Sequence, residues 1–247
     1  MYIDLHPMFK FTIIMKWLLI LCCFLVSSGY AQSPADYFNQ ANSMLAAKEY
    51  KTAVVMYTKV INANAKFTAA YCNRGVAKDS LYDYKGALDD YSKALDVDPY
   101  DNKAHMSRGF VRYQLKDYIG ALEDYEEVLT GNPGNADAYI GKGLVKDKVK
   151  DYLGAMTEYT RAINVDPKKL MAYLNRGNTR NHLHDLEGAI ADYTKAIEID
   201  SSYASAYFDR GLTKIMLKQK AEGCIDLQKA AELGYDNARE VIKKYCE

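Results

Sequence analysis

The chain has 247 residues, and its 32 lysines and arginines are balanced by 32 aspartates and glutamates, so the formal net charge is zero. With no net charge, the protein has no overall electrostatic attraction to nucleic acid or to acidic lipid. The five cysteines are too few and too scattered for a disulfide-framework protein.

The first 31 residues have the order of a secretory signal peptide. Two lysines precede the uncharged apolar run WLLILCCFLV (17–26), and the small residues Gly29 and Ala31 precede a cut after Ala31. The run is too short to span a bilayer, which takes about 20 residues. The sequence therefore predicts a signal peptide over residues 1–31 and an exported product, periplasmic or secreted.

Two alternatives remain open at this end of the chain. An uncleaved segment over residues 9–26 would tether the protein to a membrane, although Lys16 interrupts the segment. The Met15-Lys16 pair is itself a compact signal start, so translation from Met1, Met8 or Met15 stays open. N-terminal sequencing of the exported protein decides both questions.

A period of 34 residues fills the rest of the chain as six units without insertions. We count places 1 to 34 within each unit, and the units cover residues 34–67, 68–101, 102–135, 136–169, 170–203 and 204–237. Place 8 is always small: Ala41, Gly75, Gly109, Gly143, Gly177 and Gly211. Place 24 is a tyrosine in five units: Tyr57, Tyr91, Tyr125, Tyr159 and Tyr193. Place 32 is a proline in three: Pro99, Pro133 and Pro167.

This pattern resembles the tetratricopeptide repeat (TPR) family, whose motif has a small residue at place 8, alanine at places 20 and 27, an aromatic at 24 and proline at 32. The resemblance implies an all-α right-handed superhelix of helix–turn–helix units over residues 34–237, with a C-terminal capping helix over 238–247. Each unit then has a helix A and a helix B. In the second unit we expect them over about 69–81 and 84–97, ending before Asp98-Pro99.

The recurring glycine at place 8 requires a physical reason, because glycine inside a helix costs about 1 kcal/mol relative to alanine. We expect close approach to be that reason. A small residue at place 8 lets the tyrosine at place 24 of helix B come near, as Gly75 does for Tyr91.

Place 7 carries a cation in five units, where the family pattern favours leucine. Place 11, four residues on and therefore on the same face of helix A, carries another. Place 23 on helix B is acidic in the same five units, whereas the first unit has Gln40 at place 7 and Met56 at place 23. The sequence therefore predicts buried ion pairs, within a unit or to the next one: Arg74–Asp90, Arg108–Asp124, Lys142–Glu158, Arg176–Asp192 and Arg210–Asp226.

A nucleic-acid surface is the competing interpretation of these cations. The acids in the same register, the zero net charge and the absence of interleaved aromatic and basic residues count against it. We expect no nucleic-acid partner.

The resemblance also implies a partner-binding groove on the concave surface, formed by places 2, 5, 9, 12 and 13 of helix A. Places 5 and 9 are mostly apolar and suit an extended segment or an amphipathic helix of a protein or peptide partner. Asparagines at place 6 would hydrogen-bond a peptide backbone. The predicted groove residues are Phe38, Asn42, Asn73, Met106, Phe110, Ile140, Leu144, Leu174, Asn175 and Asn178. The alternative is that places 5 and 9 are half-buried and complete the core.

No constellation of catalytic residues recurs, and the alternating His182 and His184 make a poor metal site. We expect no enzyme activity, cofactor, metal or small-molecule substrate. The sequence predicts a non-catalytic protein–protein interaction scaffold. The alternatives are a subunit of an envelope or secretion assembly and a membrane-tethered sensor module.

Three cysteines remain after removal of the signal peptide: Cys72, Cys224 and Cys246. We expect free, buried thiols. A Cys224–Cys246 bridge is the alternative in an oxidising compartment.

Overall fold

The structure, a computed structural model, describes residues 33–247, so the predicted signal peptide and the predicted anchor lie outside the described residues. Within that part, the chain forms thirteen α-helices and no strand. The helices are α1 (Pro34–Ala46), α2 (Tyr50–Ala63), α3 (Thr68–Ser80), α4 (Tyr84–Val97), α5 (Asn102–Gln114), α6 (Tyr118–Gly131), α7 (Ala136–Lys148), α8 (Tyr152–Val165), α9 (Leu170–His182), α10 (Leu186–Ile199), α11 (Ala204–Met216), α12 (Lys220–Glu232) and α13 (Ala238–Tyr245). None of these helices is long and apolar enough to cross a membrane.

The first twelve helices form six pairs, and the same turn joins helix A to helix B in each pair. The residue at place 15 has a left-handed backbone, with φ between 60° and 65°: Lys48, Tyr82, Lys116, Lys150, His184 and Lys218. The next N–H returns to a carbonyl of helix A, as Asp83 N does to Lys78 O at 2.9 Å. This bond satisfies a carbonyl that the helix end leaves free. The turn therefore fixes how helix B leaves helix A.

In the four middle units, an aspartate at place 16 caps helix B by accepting a hydrogen bond from the N–H of a glycine at place 19. The pairs are Asp83–Gly86, Asp117–Gly120, Asp151–Gly154 and Asp185–Gly188, each at 3.0 Å. Asp and Asn side chains are preferred at this position because they satisfy a free donor of the first turn.

The tyrosine at place 24 packs directly on the small residue at place 8. A Cβ atom added to Gly75 would lie 2.7 Å from the Tyr91 ring, and one added to Gly177 would lie 2.7 Å from the Tyr193 ring. Both tyrosines are almost fully buried. The glycine thus allows the expected close approach, which brings helices A and B together.

Each helix pair stacks on the next, and the A helices of neighbouring units also contact one another. Neighbouring B helices in the described part of the chain approach one another less closely. The A helices consequently line the inner, concave side of the solenoid, and the B helices form its outer side.

Helix α13 folds back onto α12, and a disulfide joins the two helices. Cys224 and Cys246 are bonded, with their Cα atoms 5.8 Å apart, so the expectation of free thiols is wrong for this pair. Gly234, with φ of 86°, reverses the chain after α12 and returns α13 to bridging distance. Cys72 is free and buried, as expected. Tyr245, at the end of α13, is 39% exposed.

Candidate functional site

Four arginines of helix A bind the acids of helix B in their own units, from Nη2 to Oδ1. The distances are 2.6 Å for Arg74–Asp90 and 2.7 Å for Arg108–Asp124, Arg176–Asp192 and Arg210–Asp226. The aspartate side chains are 0–6% exposed and the arginine side chains 12–17%. These guanidinium groups are therefore paired inside the solenoid and do not form a surface for phosphates.

The cation at place 11 binds the same acid, which sequence reasoning missed. The distances lie between 2.7 and 2.9 Å for Lys78–Asp90, Arg112–Asp124, Lys146–Glu158, Arg180–Asp192 and Lys214–Asp226. Place 11 was already predicted to lie on the same face of helix A as place 7, and this spacing could have indicated that its cation also binds the acid of place 23. Each buried acid therefore has two cations from helix A.

The arginines also reach the preceding unit through Nη1, where they donate to a hydroxyl at place 25. The distances are 2.9 Å for Arg74–Thr58, 3.5 Å for Arg108–Ser92, 3.0 Å for Arg176–Thr160 and 3.1 Å for Arg210–Thr194. One side chain thus links three helices and ties neighbouring units together.

The fourth unit differs from the prediction. Lys142 lies 3.8 Å from Glu158 but 2.5 Å from Glu126 of the preceding unit. Lysine is a compact point charge, so Lys142 makes one short contact and one long contact, whereas the guanidinium fork holds two partners at hydrogen-bond distance. Place 25 is acidic in one unit, the third, where it is Glu126, and the next unit is the one that has lysine at place 7. The sequence therefore already contains the signal for this different pairing.

Two of the predicted groove residues are not available to a partner. Ile140 is 7% exposed and Leu174 is 6% exposed, and each belongs to a core cluster. Place 5 lies against the next helix pair, so its apolar side chain fills the interior. The groove prediction is wrong for these two residues.

The remaining apolar groove residues differ in exposure. Phe38, Met106 and Leu144 are half-buried and pack against core clusters. Phe110 is 44% exposed and offers apolar surface on helix α5.

The predicted asparagines mostly support the tyrosines of place 24. Asn42 Oδ1 accepts hydrogen bonds from the Tyr57 hydroxyl at 2.6 Å and from Asn73 Nδ2 at 3.0 Å. Asn178 Oδ1 accepts one from the Tyr193 hydroxyl at 2.7 Å. The amide nitrogen of Asn175 is buried and has no hydrogen-bond partner among residues 33–247.

A cleft of about 490 Å³ opens on the concave side between α9 and α11. Its lining residues are Asn178, Asn181, His182, Tyr193, Asp209, Leu212, Thr213 and Met216. Of these, sequence reasoning had named only Asn178 as a groove residue. Leu212, Asn181, His182 and Met216 stand at the family groove places 9, 12 and 13, which could have indicated them, whereas Asp209 and Thr213 stand at places 6 and 10, outside that set.

The polar wall of the cleft is held by internal hydrogen bonds. Asn181 Nδ2 donates to the Tyr193 hydroxyl at 2.8 Å and to Thr213 Oγ1 at 2.9 Å. Burial raises the pKa of Tyr193, so the hydroxyl stays protonated and donates to Asn178. His182 stacks on Tyr152 with ring centroids 5.1 Å apart.

Asp209 is the acid of the cleft. Burial raises the pKa of its carboxyl group from 3.8 to about 6. Residues 33–247 place no cation within 4 Å of it, unlike the acids at place 23. The same residues hold no group of three His, Cys, Asp or Glu side chains suited to a metal ion.

Family comparisons agree with this architecture. Models described as tetratricopeptide repeat match residues 72–136 and 136–169, and one described as TPR repeat matches residues 183–216. The chain belongs to the tetratricopeptide repeat family. No curated protein sequence matches this TPR protein.

Solved TPR structures share the fold at low sequence identity. A tetratricopeptide repeat protein from Parabacteroides merdae is 21% identical, with a TM-score of 0.72 over 92% of this chain and 89% of its own. PilF from Pseudomonas aeruginosa is 16% identical, with a TM-score of 0.71 over 85% and 97%. YrrB, a TPR protein with an unusual peptide-binding site, is 24% identical, with a TM-score of 0.56 over 76% and 97%.

Proposed function

We propose that this TPR protein is a non-catalytic scaffold that binds a segment of a protein or peptide partner along the concave side of its A helices. The observation that carries the proposal is the cleft of about 490 Å³ between α9 and α11, where polar and apolar side chains converge. Concave sites of this size are typical of ligand binding. The peptide-binding site of YrrB, on the same fold, supports the choice of a peptide as ligand.

The test uses a displayed library of random 12-residue peptides selected on the immobilised protein. We expect selected peptides to bind wild type and to lose affinity for the charge variants Met216→Arg and Phe110→Asp, which alter exposed side chains of A helices. Ile119→Asp, which alters a 75% exposed residue of α6 on the outer side, is the matched control and keeps binding. If no peptide binds, or if all four proteins bind alike, the concave surface is not the site.

We also propose that the protein acts outside the cytosol. Two features support this location: the signal-peptide order of residues 1–31 and the Cys224–Cys246 disulfide. Disulfides persist in oxidising compartments and are rare in the cytosol. N-terminal sequencing and thiol alkylation of the protein from its producing cell are the tests. A chain that starts upstream of Ala31 contradicts the cleavage, and a chain that has three free thiols contradicts the location outside the cytosol.

A further inference from the structure

We propose that the cleft between α9 and α11 binds a lysine or arginine side chain of the partner segment, with Asp209 as its counter-ion. The inference rests on the proposed function, since it specifies the chemistry of one position in the bound segment. It goes beyond that function by assigning a charge to the ligand.

The first argument is charge. Within residues 33–247, the acids of place 23 and Asp147 are satisfied by their neighbours, whereas Asp79 of α3 has no side-chain partner but does not line the cleft. The place-23 acids each have two cations, and Asp147 accepts hydrogen bonds from Tyr159 at 2.7 Å and Thr179 at 2.9 Å. Asp209 has no salt bridge or side-chain hydrogen bond with any residue of this part. A carboxylate that is partly shielded from water and has no partner gains from a nearby cation, so the cleft suits a cationic group.

The second argument is the use of the other polar groups. The amide of Asn181 is bonded to Tyr193 and Thr213, and Asn178 accepts the Tyr193 hydroxyl. These groups satisfy one another within the wall. The carboxylate of Asp209 is therefore the strong acceptor that remains for a ligand.

The third argument is shape. Leu212 and Met216 follow Asp209 at spacings of three and seven, which puts the three residues on one face of α11. The cleft thus has an acid beside apolar side chains. Lysine and arginine match this arrangement, because each has an aliphatic stem that ends in a cation. A carboxylate or phosphate ligand would be repelled by Asp209.

The test is a double-mutant cycle on a peptide selected from the 12-residue library. The peptide is chosen to have a central lysine and no other basic residue, and its ends are acetylated and amidated. Its partner peptide has norleucine in place of the lysine. We expect wild type to bind the lysine peptide about tenfold or more tightly than the norleucine peptide, because hydrogen bonds to charged groups have this strength. For Asp209→Asn, the two peptides should bind alike, since the counter-ion is gone.

Asp79→Asn is the matched control. Asp79 is another partly buried acid of helix A with a raised pKa, but it does not line the cleft. Its removal should keep the tenfold preference. An unchanged preference in Asp209→Asn, an equal loss in Asp79→Asn, or no preference for lysine in wild type overturns the cation site. In each of these cases, peptide binding that Met216→Arg abolishes would leave the proposed function standing.

A free peptide amine is the other source of a cation. The same peptide with norleucine and an unblocked amino terminus separates the two sources. Tighter binding of this peptide than of the lysine peptide would overturn the assignment to a side chain.

Discussion

At the scale of single residues, each buried acid of helix B is surrounded by an excess of cations. Asp192 contacts both Arg176 and Arg180. The surplus N–H donors reach neutral acceptors: Arg176 reaches Thr160, and Arg180 reaches the carbonyl oxygen of Gly188 at 2.9 Å. The acid is thus the centre of a hydrogen-bonded network, and its removal leaves two half-buried charges unpaired.

We expect Asp192→Asn to lower the free energy of unfolding by about 3 kcal/mol, because breaking a buried pair leaves an uncompensated charge. Urea denaturation followed by circular dichroism measures the change. Glu198→Gln is the control: it breaks the Lys195–Glu198 pair, whose side chains are 58% and 55% exposed. Such exposed pairs contribute less than about 1 kcal/mol. Equal effects of the two substitutions would contradict a buried network.

Asp209 predicts a stability difference that depends on pH. Its pKa is raised to about 6 in the folded chain, so the native state binds more protons than the unfolded state between about pH 4 and 6. The stabilisation is present below that range and is lost as the pH rises through 6. Asp209→Asn should therefore stabilise the protein by about 1–2 kcal/mol at pH 8 and leave stability nearly unchanged at pH 4.

Urea midpoints of wild type and variant at both pH values check this prediction. Subtracting the two curves removes the titration of all other groups. Asp236→Asn, which removes an exposed carboxylate, is the control for the loss of one negative charge. A constant effect of Asp209→Asn across the range would contradict the raised pKa.

At the scale of helices, the glycine at place 8 sets the distance between A and B. Gly75→Ala would normally stabilise a helix by about 1 kcal/mol. Here the new Cβ would lie 2.7 Å from the Tyr91 ring, so the helices must separate. We expect a net loss of about 1–2 kcal/mol, since overpacking a core costs about 1–3 kcal/mol.

Gly131→Ala is the comparison for this helix prediction. Gly131 is exposed at the end of α6, and its nearest neighbour would be the Asn102 side chain at 3.2 Å. Thermal unfolding should show no loss for this variant. Stabilisation by Gly75→Ala would mean that the tyrosine moves aside freely.

The helices themselves were predictable because their signals can be read directly from the order of residues. These signals are the 34-residue period, the proline at place 32 and the small residue at place 8. In the second unit, α3 and α4 cover Thr68–Ser80 and Tyr84–Val97, against expected ranges of 69–81 and 84–97. The left-handed turn was not predictable, because place 15 holds no glycine in any unit, and glycine is the main residue in a sequence that indicates a positive φ.

The candidate site was less predictable, because side-chain direction depends on the neighbouring unit. Ile140 and Leu174 stand at a family groove position, yet the next helix pair covers them. Lys142 lies closer to Glu126 of the preceding unit than to Glu158 of its own unit. Asp209 carries no repeat signal, since place 6 holds no acid in the other five units. Its lack of a partner is visible only in three dimensions.

At the scale of the whole molecule, the two ends of the solenoid are stabilised differently. In solenoids each unit contacts only its neighbours, so local stability depends on local interactions. The first unit has Gln40 and Met56 in place of the ion pair. The sixth unit has Arg210 and Lys214 on Asp226, and the disulfide holds α13 onto it.

This asymmetry predicts an order of opening that amide hydrogen exchange can measure. Helices α1 and α2 should exchange fastest, while α11 and α12 stay as protected as the central units.

Reduction opens the one disulfide found within residues 33–247, between cysteines 22 residues apart. A closed loop of this length stabilises by about 3 kcal/mol, so exchange in α12 and α13 should accelerate by up to about a hundredfold. Helices α5 to α8 serve as the internal control, because they do not touch the disulfide. Acceleration there as well would mean that the six units unfold as one cooperative body. It would contradict the view that the stability of each unit depends on its own ion pairs.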